Sequence, residues 1–233
     1  TNATAVFDIR DVVFVTWHTL AGPYGGAITA YKLNTGTGKY EFTDRIDFVD
    51  TDFHEATGSI NTGNGTYEIF AAGQRDPDAS GYLLSNHNGA VVTSIHYDYI
   101  NDAFDASTIK ELPLPSYGAN GIVAAAGSYY VITGNGNGNS GANAAPGGIY
   151  KTDYALTNVA AAFSLNDGIA VTINPLGASA TGATIAYTDR KSDTEFDIYT
   201  GDFIDNSPSG DLGTVGGTPT TVINATGDVE RAG

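Results

Sequence analysis

Residues 128–134 read Ser-Tyr-Tyr-Val-Ile-Thr-Gly, and this heptapeptide decides the fold because the chain repeats its pattern. Three other segments align with it without gaps, at residues 11–17, 66–72 and 183–189. Their fourth positions, Phe14, Ile69, Val131 and Ala186, are separated by 55, 62 and 55 residues. Aromatic and β-branched residues are typical of strands. A repeat of this period therefore indicates a β unit that occurs four times.

Further strand-like runs follow each of these segments. The second apolar run of each unit lies at residues 26–28, 81–83, 148–150 and 197–199, and closing runs lie at residues 40–49, 91–99, 159–165 and 214–223. Gly, Asn and Asp clusters separate the runs at intervals that suit hairpins. Only short stretches such as residues 158–163 carry a helical pattern. The sequence therefore predicts an all-β protein.

The repeat predicts a β-propeller of about four antiparallel four-stranded blades. The units span about residues 1–55, 56–116, 117–166 and 167–233 of a single domain. An isolated four-stranded meander cannot bury both of its faces, so neighbouring units are expected to stack face to face. The chain is either a complete propeller or part of a larger ring. A β-sandwich is the alternative, because it also offers many short strands at regular spacing.

The third unit also carries a family resemblance. Asn120-Gly121-Ile122, Tyr129-Tyr130-Val131 and the run Gly147 to Asp153 are similar to repeats of exported bacterial propellers, including LVIVD-like surface propellers. The third unit matches best and the fourth matches least. The resemblance implies a β-propeller scaffold at a cell surface and implies no particular activity.

Composition excludes several classes of partner. The 233 residues contain 10 Lys and Arg against 26 Asp and Glu, a net charge of −16, and the basic residues are scattered singly. Nucleic acids and anionic membranes need clustered basic residues, so neither is expected to bind. No apolar run reaches the length of a membrane-spanning helix, so no membrane insertion is expected.

The sequence contains no Cys and no Met, and it begins with Thr1. The missing Cys excludes disulfides and thiolate zinc sites. From the missing initiator Met we expect a processed or partial product. The Lys-poor surface, rich in Asn, Gly and Thr, favours a secreted or cell-surface location.

Two loops carry oxygen-bearing side chains at alternate positions, a spacing that favours calcium. In the first loop, Asp76, Asp78 and Ser80 precede Gly81, and the carbonyl of Tyr82 is the expected further ligand. The members of the second loop are Asp205, Ser207, Ser209 and Asp211. Each loop supplies only part of a Ca²⁺ site. The alternative is an ordinary hairpin turn held by side-chain hydrogen bonds.

Two further groups suggest ligand binding. Trp17, His18 and Tyr24 end one strand and begin the following loop, where aromatic faces can stack on sugars. Trp17 is alternatively a packing residue between two blades. Asn135, Asn137 and Asn139 lie in a long polar loop whose amides could bind sugar hydroxyls. That loop is alternatively a plain connection.

Catalysis would have to rest on paired carboxylates. Asp47, Asp50, Asp52 and Glu55 cluster in one segment, and Asp98, Asp102 and Asp105 cluster in another. Sequence cannot select a pair at the separation that glycoside hydrolysis requires. The catalytic residues stay unknown, and the pattern favours a protein that is not an enzyme without deciding the point.

These observations predict an exported or cell-surface propeller that acts as an interaction or structural module, such as a component of a larger adhesin or filament. Its expected partners are a protein or glycan at a cell surface, or its own copies. The alternatives are a propeller-type glycoside hydrolase and a calcium-stabilised lectin.

Overall fold

The computed structural model describes residues 2–18, 25–49, 51–75, 90–114, 118–125, 127–134, 148–164, 173–179, 182–192, 195–204 and 214–224. Within these ranges, sixteen strands form four antiparallel sheets of four strands each. Within each sheet the strands lie side by side in chain order. The all-β prediction and the four-stranded meanders are therefore confirmed.

Each sheet takes four consecutive strands. The first contains β1 (Asn2–Ile9), β2 (Val12–His18), β3 (Gly25–Asn34) and β4 (Lys39–Val49). The second contains β5 (Thr51–Gly63), β6 (Thr66–Arg75), β7 (Ala90–Asp98) and β8 (Ala103–Pro113). The third contains β9 (Gly118–Ala125), β10 (Ser128–Gly134), β11 (Gly148–Asp153) and β12 (Val159–Ser164). The fourth contains β13 (Ile173–Ser179), β14 (Gly182–Ser192), β15 (Glu195–Ile204) and β16 (Thr214–Asn224).

The repeated segments fall on equivalent strands. Phe14, Ile69, Val131 and Ala186 lie on β2, β6, β10 and β14, the second strand of each sheet. The ungapped alignment is nevertheless one residue out of register in two sheets. Phe14 is the third residue of β2, Ile69 and Val131 are the fourth of their strands, and Ala186 is the fifth of β14.

A shift of one residue turns a strand side chain to the opposite face of the sheet. Phe14 therefore packs toward the second sheet, whereas Ile69 packs back toward the first, and the two side chains share one core. Val131 packs back toward the second sheet, in the same sense as Ile69.

Two local predictions need correction. The run at residues 91–99, predicted to close the second unit, is the third strand of the second sheet, Ala90–Asp98, which pairs directly with β6. Residues 81–83 lie outside the described residues. The suggested boundary between residues 55 and 56 lies inside β5, because the second sheet already begins at Thr51. The closing run predicted at 159–165, part of which also carries a helical pattern, corresponds to strand β12.

The sheets pack on one another in chain order through their first strands. β1 contacts β5, β5 contacts β9, and β9 contacts β13. One buried core lies between the first two sheets and includes Phe14, Ile28, Phe53, Ile69 and Tyr97. A second core lies between the second and third sheets and includes Phe70, Val92, Tyr129, Val131 and Tyr150. This face-to-face stacking of meanders is the arrangement of propeller blades.

The two ends of the sheets differ in the length of their connections. A single residue joins β4 to β5 and a short segment joins β8 to β9, so the first three sheets share a common orientation. At one end, which we call the turn end, strands are joined by short turns such as 10–11, 64–65 and 99–102. At the other end, which we call the loop end, the second and third strands are joined through residues 19–24, 76–89 and 135–147.

Candidate functional site

Three of the four groups that the sequence singles out lie on, or directly follow, strands that end at the loop end. Trp17 and His18 are the last residues of β2, and Tyr24 belongs to the segment that leads into β3. The first calcium motif lies between β6 and β7, and the asparagine-rich segment lies between β10 and β11. Three connections at equivalent places on three adjacent sheets therefore emerge at the same end of the molecule. Residues 19–24, 76–89 and 135–147 themselves lie outside the described residues.

Hydrogen bonds and close packing stabilise the strand ends that flank these connections. The Thr133 hydroxyl accepts a hydrogen bond from the backbone N–H of Gly148 at 3.1 Å and donates to the Gly148 carbonyl at 3.2 Å. This buried hydroxyl therefore ties together the two strands that flank residues 135–147. The sequence marked Thr133 only as a small residue in the repeat, and its contact with Gly148 depends on a pairing that no local pattern reveals.

The first and second sheets approach each other closely at the loop end. A Cβ atom at Gly26 would lie 2.5 Å from Cδ2 of Phe53 and 2.7 Å from the carbonyl oxygen of Thr51. The Thr51 hydroxyl in turn donates to Oε1 of Glu111 at 3.1 Å. Because Gly26 has no side chain, β5 can cross over the start of β3. The start of β3 therefore packs directly against the second sheet.

Trp17 lies on the face of the first sheet that points away from the second. Its cross-strand neighbours are both alanines, Ala3 on β1 and Ala27 on β3. The indole is half-buried, and its buried Nε1 has no hydrogen-bond partner within the described part of the chain. Buried indole N–H groups usually find a partner. Among the described residues, the indole N–H of Trp17 therefore has no acceptor.

The fourth predicted group follows β15 in the fourth sheet. Asp205, Ser207, Ser209 and Asp211 belong to the connection from β15 to β16, which lies outside the described residues. Within the described ranges no group of three or more His, Asp or Glu side chains is arranged to hold a metal ion.

The described members of the two carboxylate clusters have structural partners. Asp98 accepts hydrogen bonds from the backbone of Ile100 and Asn101, and the Asn101 side chain is the main cause of a lowered pKa for Asp98. A hydrogen bond from Ser107 likewise lowers the pKa of Asp105. Asp47 pairs with Arg45 at 2.5 Å. These carboxylates stabilise turns and strands.

Asp102 belongs to a charged network that joins the first two sheets at the turn end. Lys32 on β3 contacts Asp102 at 2.8 Å, and this hydrogen bond is the main reason for the raised pKa of Lys32. The Tyr99 hydroxyl donates to Asp11, which lowers the pKa of Asp11. The Arg10 guanidinium and the Lys32 ammonium lie 4.9 and 5.1 Å from the centre of the Tyr99 ring. Ion pairs, hydrogen bonds and cation–π contacts therefore hold the first two sheets together at the turn end.

A buried carboxylate also lies between the second and third sheets. Glu68 on β6 is almost fully buried, and Lys110 on β8 lies 3.4 Å from its Oε1. Burial, followed by the charge of Glu68, raises the pKa of Tyr129. Glu68 is therefore part of the packing between the second and third sheets.

The fold defines the class of the molecule as an all-β protein of propeller type, with four antiparallel four-stranded sheets. No family model matches the chain. No curated protein matches it either. No helix in the described ranges is long and apolar enough to span a bilayer.

Among solved structures, the chain is similar to a glycoside hydrolase family 43 arabinoxylan arabinofuranohydrolase from Bacillus subtilis, crystallised in complex with cellotetraose. The TM-score is 0.46 and the sequence identity is 10%. The likeness covers 94% of this chain and 50% of that enzyme, so the chain spans about half its length. We transfer no residue role from this enzyme.

Proposed function

We propose that the chain is an exported β-propeller interaction module that binds a glycan or protein at its loop end, in the manner of the bacterial surface propellers that its third unit resembles. One observation carries the proposal. In the first three sheets, the strands that flank the connections of six, 14 and 13 residues end at the loop end, whereas turns of two to five residues join the strands at the turn end. Binding residues are concentrated on loops that a rigid scaffold positions.

The chemistry of the loop-end residues supports a glycan as the first ligand to test. The segment between β10 and β11 contains Asn135, Asn137 and Asn139, whose amides can donate to and accept from hydroxyl groups. Trp17 adds an aromatic ring whose N–H has no acceptor among the described residues. Aromatic faces and amides together match the apolar faces and hydroxyls of sugars.

The experiment is binding of the purified chain to an immobilised panel of microbial and plant polysaccharides. We expect binding to at least one glycan and a loss of about tenfold or more when Asn135, Asn137 and Asn139 are all changed to alanine. The matched control changes Asn101 and Asn158 to alanine, because both are exposed asparagines at the turn end. No binding to the panel, or equal loss in both variants, would contradict a glycan site at the loop end.

The same preparation separates binding from the enzymatic alternative. A glycoside hydrolase would release reducing sugar from the bound polysaccharide, and a binding module would leave it intact. Sustained release that disappears on replacing a single loop-end carboxylate would overturn the non-enzymatic proposal.

A further inference from the structure

The first sheet presents a partly exposed apolar face, which we call the outer face. The strand register places Val6 and Val15 on this face, together with Tyr31, Tyr40 and Phe42. Ala27 and Thr29 share the face nearer the loop end and are buried. Val6 is 65% exposed, Phe42 is 62% exposed and Tyr40 is 49% exposed. Of the large apolar side chains that are exposed in the described residues, only Ile100 lies elsewhere, in the turn from β7 to β8.

The equivalent faces of the next two sheets are covered. Counted from the hairpin turn, Val15 corresponds to Ile69 in the second sheet and to Val131 in the third. Ile69 and Val131 have no exposed surface, because each packs against the sheet that precedes it. Val15 is only half-buried. The repeat therefore indicates that a twisted antiparallel sheet is the kind of surface that covers such a face.

We propose that the outer face of the first sheet binds the same face of a second copy of this chain, which gives a two-fold dimer. A second copy brings an apolar sheet face of the required kind, and a patch that contacts itself produces a closed dimer. Two sheets pack face to face at a separation of about 10 Å.

Charge also favours a second copy at this face. The charged residues that the register places there are Asp8, Arg45 and Asp47, and Arg45 forms an ion pair with Asp47. The outer face therefore carries a net charge near −1, within a chain whose net charge is −16. Two copies of so acidic a chain repel each other least where each surface is close to neutral.

The size of the face predicts a reversible dimer. Four strands about 4.8 Å apart and about seven residues long cover roughly 400 Å². That footprint is smaller than the roughly 800 Å² per partner of a standard stable interface. We therefore expect dissociation in the micromolar range.

The test is sedimentation velocity of the 233-residue chain from about 1 to 200 µM. We expect a monomer–dimer equilibrium that weakens at least tenfold in Phe42→Asp and in Val6→Asp. Ile100→Asp is the matched control, because Ile100 is 71% exposed and lies off the outer face, and it should leave the equilibrium unchanged. Circular dichroism checks that each variant stays folded.

A second measurement does not depend on introducing a charge. Because the chain contains no Cys, Val6→Cys supplies a single thiol for a nitroxide label. A two-fold dimer predicts one spin–spin distance that disappears on dilution. A chain that stays monomeric at 200 µM, a dimer unaffected by Phe42→Asp, an equal effect of Ile100→Asp, or an open-ended series of larger oligomers would each overturn the proposal.

Discussion

Ile69 shows how one buried side chain joins two sheets. It has no exposed surface and packs in the core with Phe14 and Tyr97. Ile69→Ala should lower the free energy of unfolding by roughly 2 to 5 kcal/mol, because it removes buried methyl groups and leaves a cavity. Denaturant titration measures the change. The same substitution at the exposed Ile100 should cost less than about 0.5 kcal/mol, and equal losses at both sites would contradict the packing described.

Gly26 allows the second sheet to cross the first. Gly26→Ala should destabilise by about 1 to 3 kcal/mol, because the added Cβ would lie 2.5 Å from the ring of Phe53 and 2.7 Å from the backbone of Thr51. Gly36→Ala is the control, because its Cβ would meet only the side-chain oxygen of Asn34, at 3.3 Å. Thermal unfolding compares the two variants. If Gly26→Ala is no worse than Gly36→Ala, the close approach of the sheets is wrong.

The buried phenol of Tyr97 should make the folded protein less stable at high pH. Burial raises the pKa of Tyr97 to about 12 from its ordinary value of 10.0. The neutral phenol is therefore favoured in the folded state, so the stabilisation is complete below pH 10 and is lost as the pH rises toward 12. A difference of two pKa units corresponds to roughly 3 kcal/mol.

Melting temperatures between pH 8 and 12, together with tyrosinate absorbance, test this prediction. Tyr97→Phe should make the decline above pH 10 less steep. An identical decline in wild type and variant would show that Tyr97 does not contribute to it.

At the scale of strands, the sequence predicted the second strand of every sheet. It also predicted β7, as the run at residues 91–99, but it did not predict β8, the fourth strand of the second sheet. β6 and β10 are buried on both faces and so read as continuous apolar runs. β8 has the sequence AFDASTIKELP and is largely exposed or half-buried, so its apolar residues are too sparse to mark a strand. The register of the strands could not be predicted either, because it depends on where each hairpin turn falls and not on the apolar run itself.

The candidate site residues remain predictions from local composition, at 17–18, 76–82 and 135–139. That the strands flanking these segments end on the same side of the molecule follows from pairing between distant segments, which no local pattern reveals. Thr133 went unrecognised for the same reason, since its partner Gly148 is brought to it by the pairing of β10 with β11.

The loop between β6 and β7 remains a predicted calcium site. If Asp76, Asp78 and Ser80 bind Ca²⁺, the melting temperature should rise with calcium and fall with chelator. Ligand that binds only the folded state adds about 2.7 kcal/mol at a hundred times its Kd. Asp76→Ala should abolish the rise, whereas Asp8→Ala removes an exposed carboxylate outside both predicted calcium loops and should preserve it. An unchanged melting temperature in millimolar calcium would leave the segment an ordinary Asp-Pro turn.

At the scale of the whole molecule, the net charge of −16 opposes the compact state. Raising NaCl from about 0.01 to 0.5 M shortens the Debye length from about 30 Å to less than 10 Å, so the melting temperature at pH 7 should rise. The control is the same series near the sequence pI of about 4.2, where the net charge is small and salt should have little effect. A fall in melting temperature at pH 7 would mean that ion pairs such as Lys32 with Asp102 outweigh the overall repulsion.

The chain-order pairing of the strands bears on how the protein is made. Because every sheet is built from four consecutive strands, a sheet is complete as soon as its fourth strand has emerged from the ribosome or from a translocation channel. A nascent chain that has reached Pro113 already contains the first two sheets and all residues of the core between them. The first two sheets can therefore pack together around their shared core while the rest of the chain is still being synthesised.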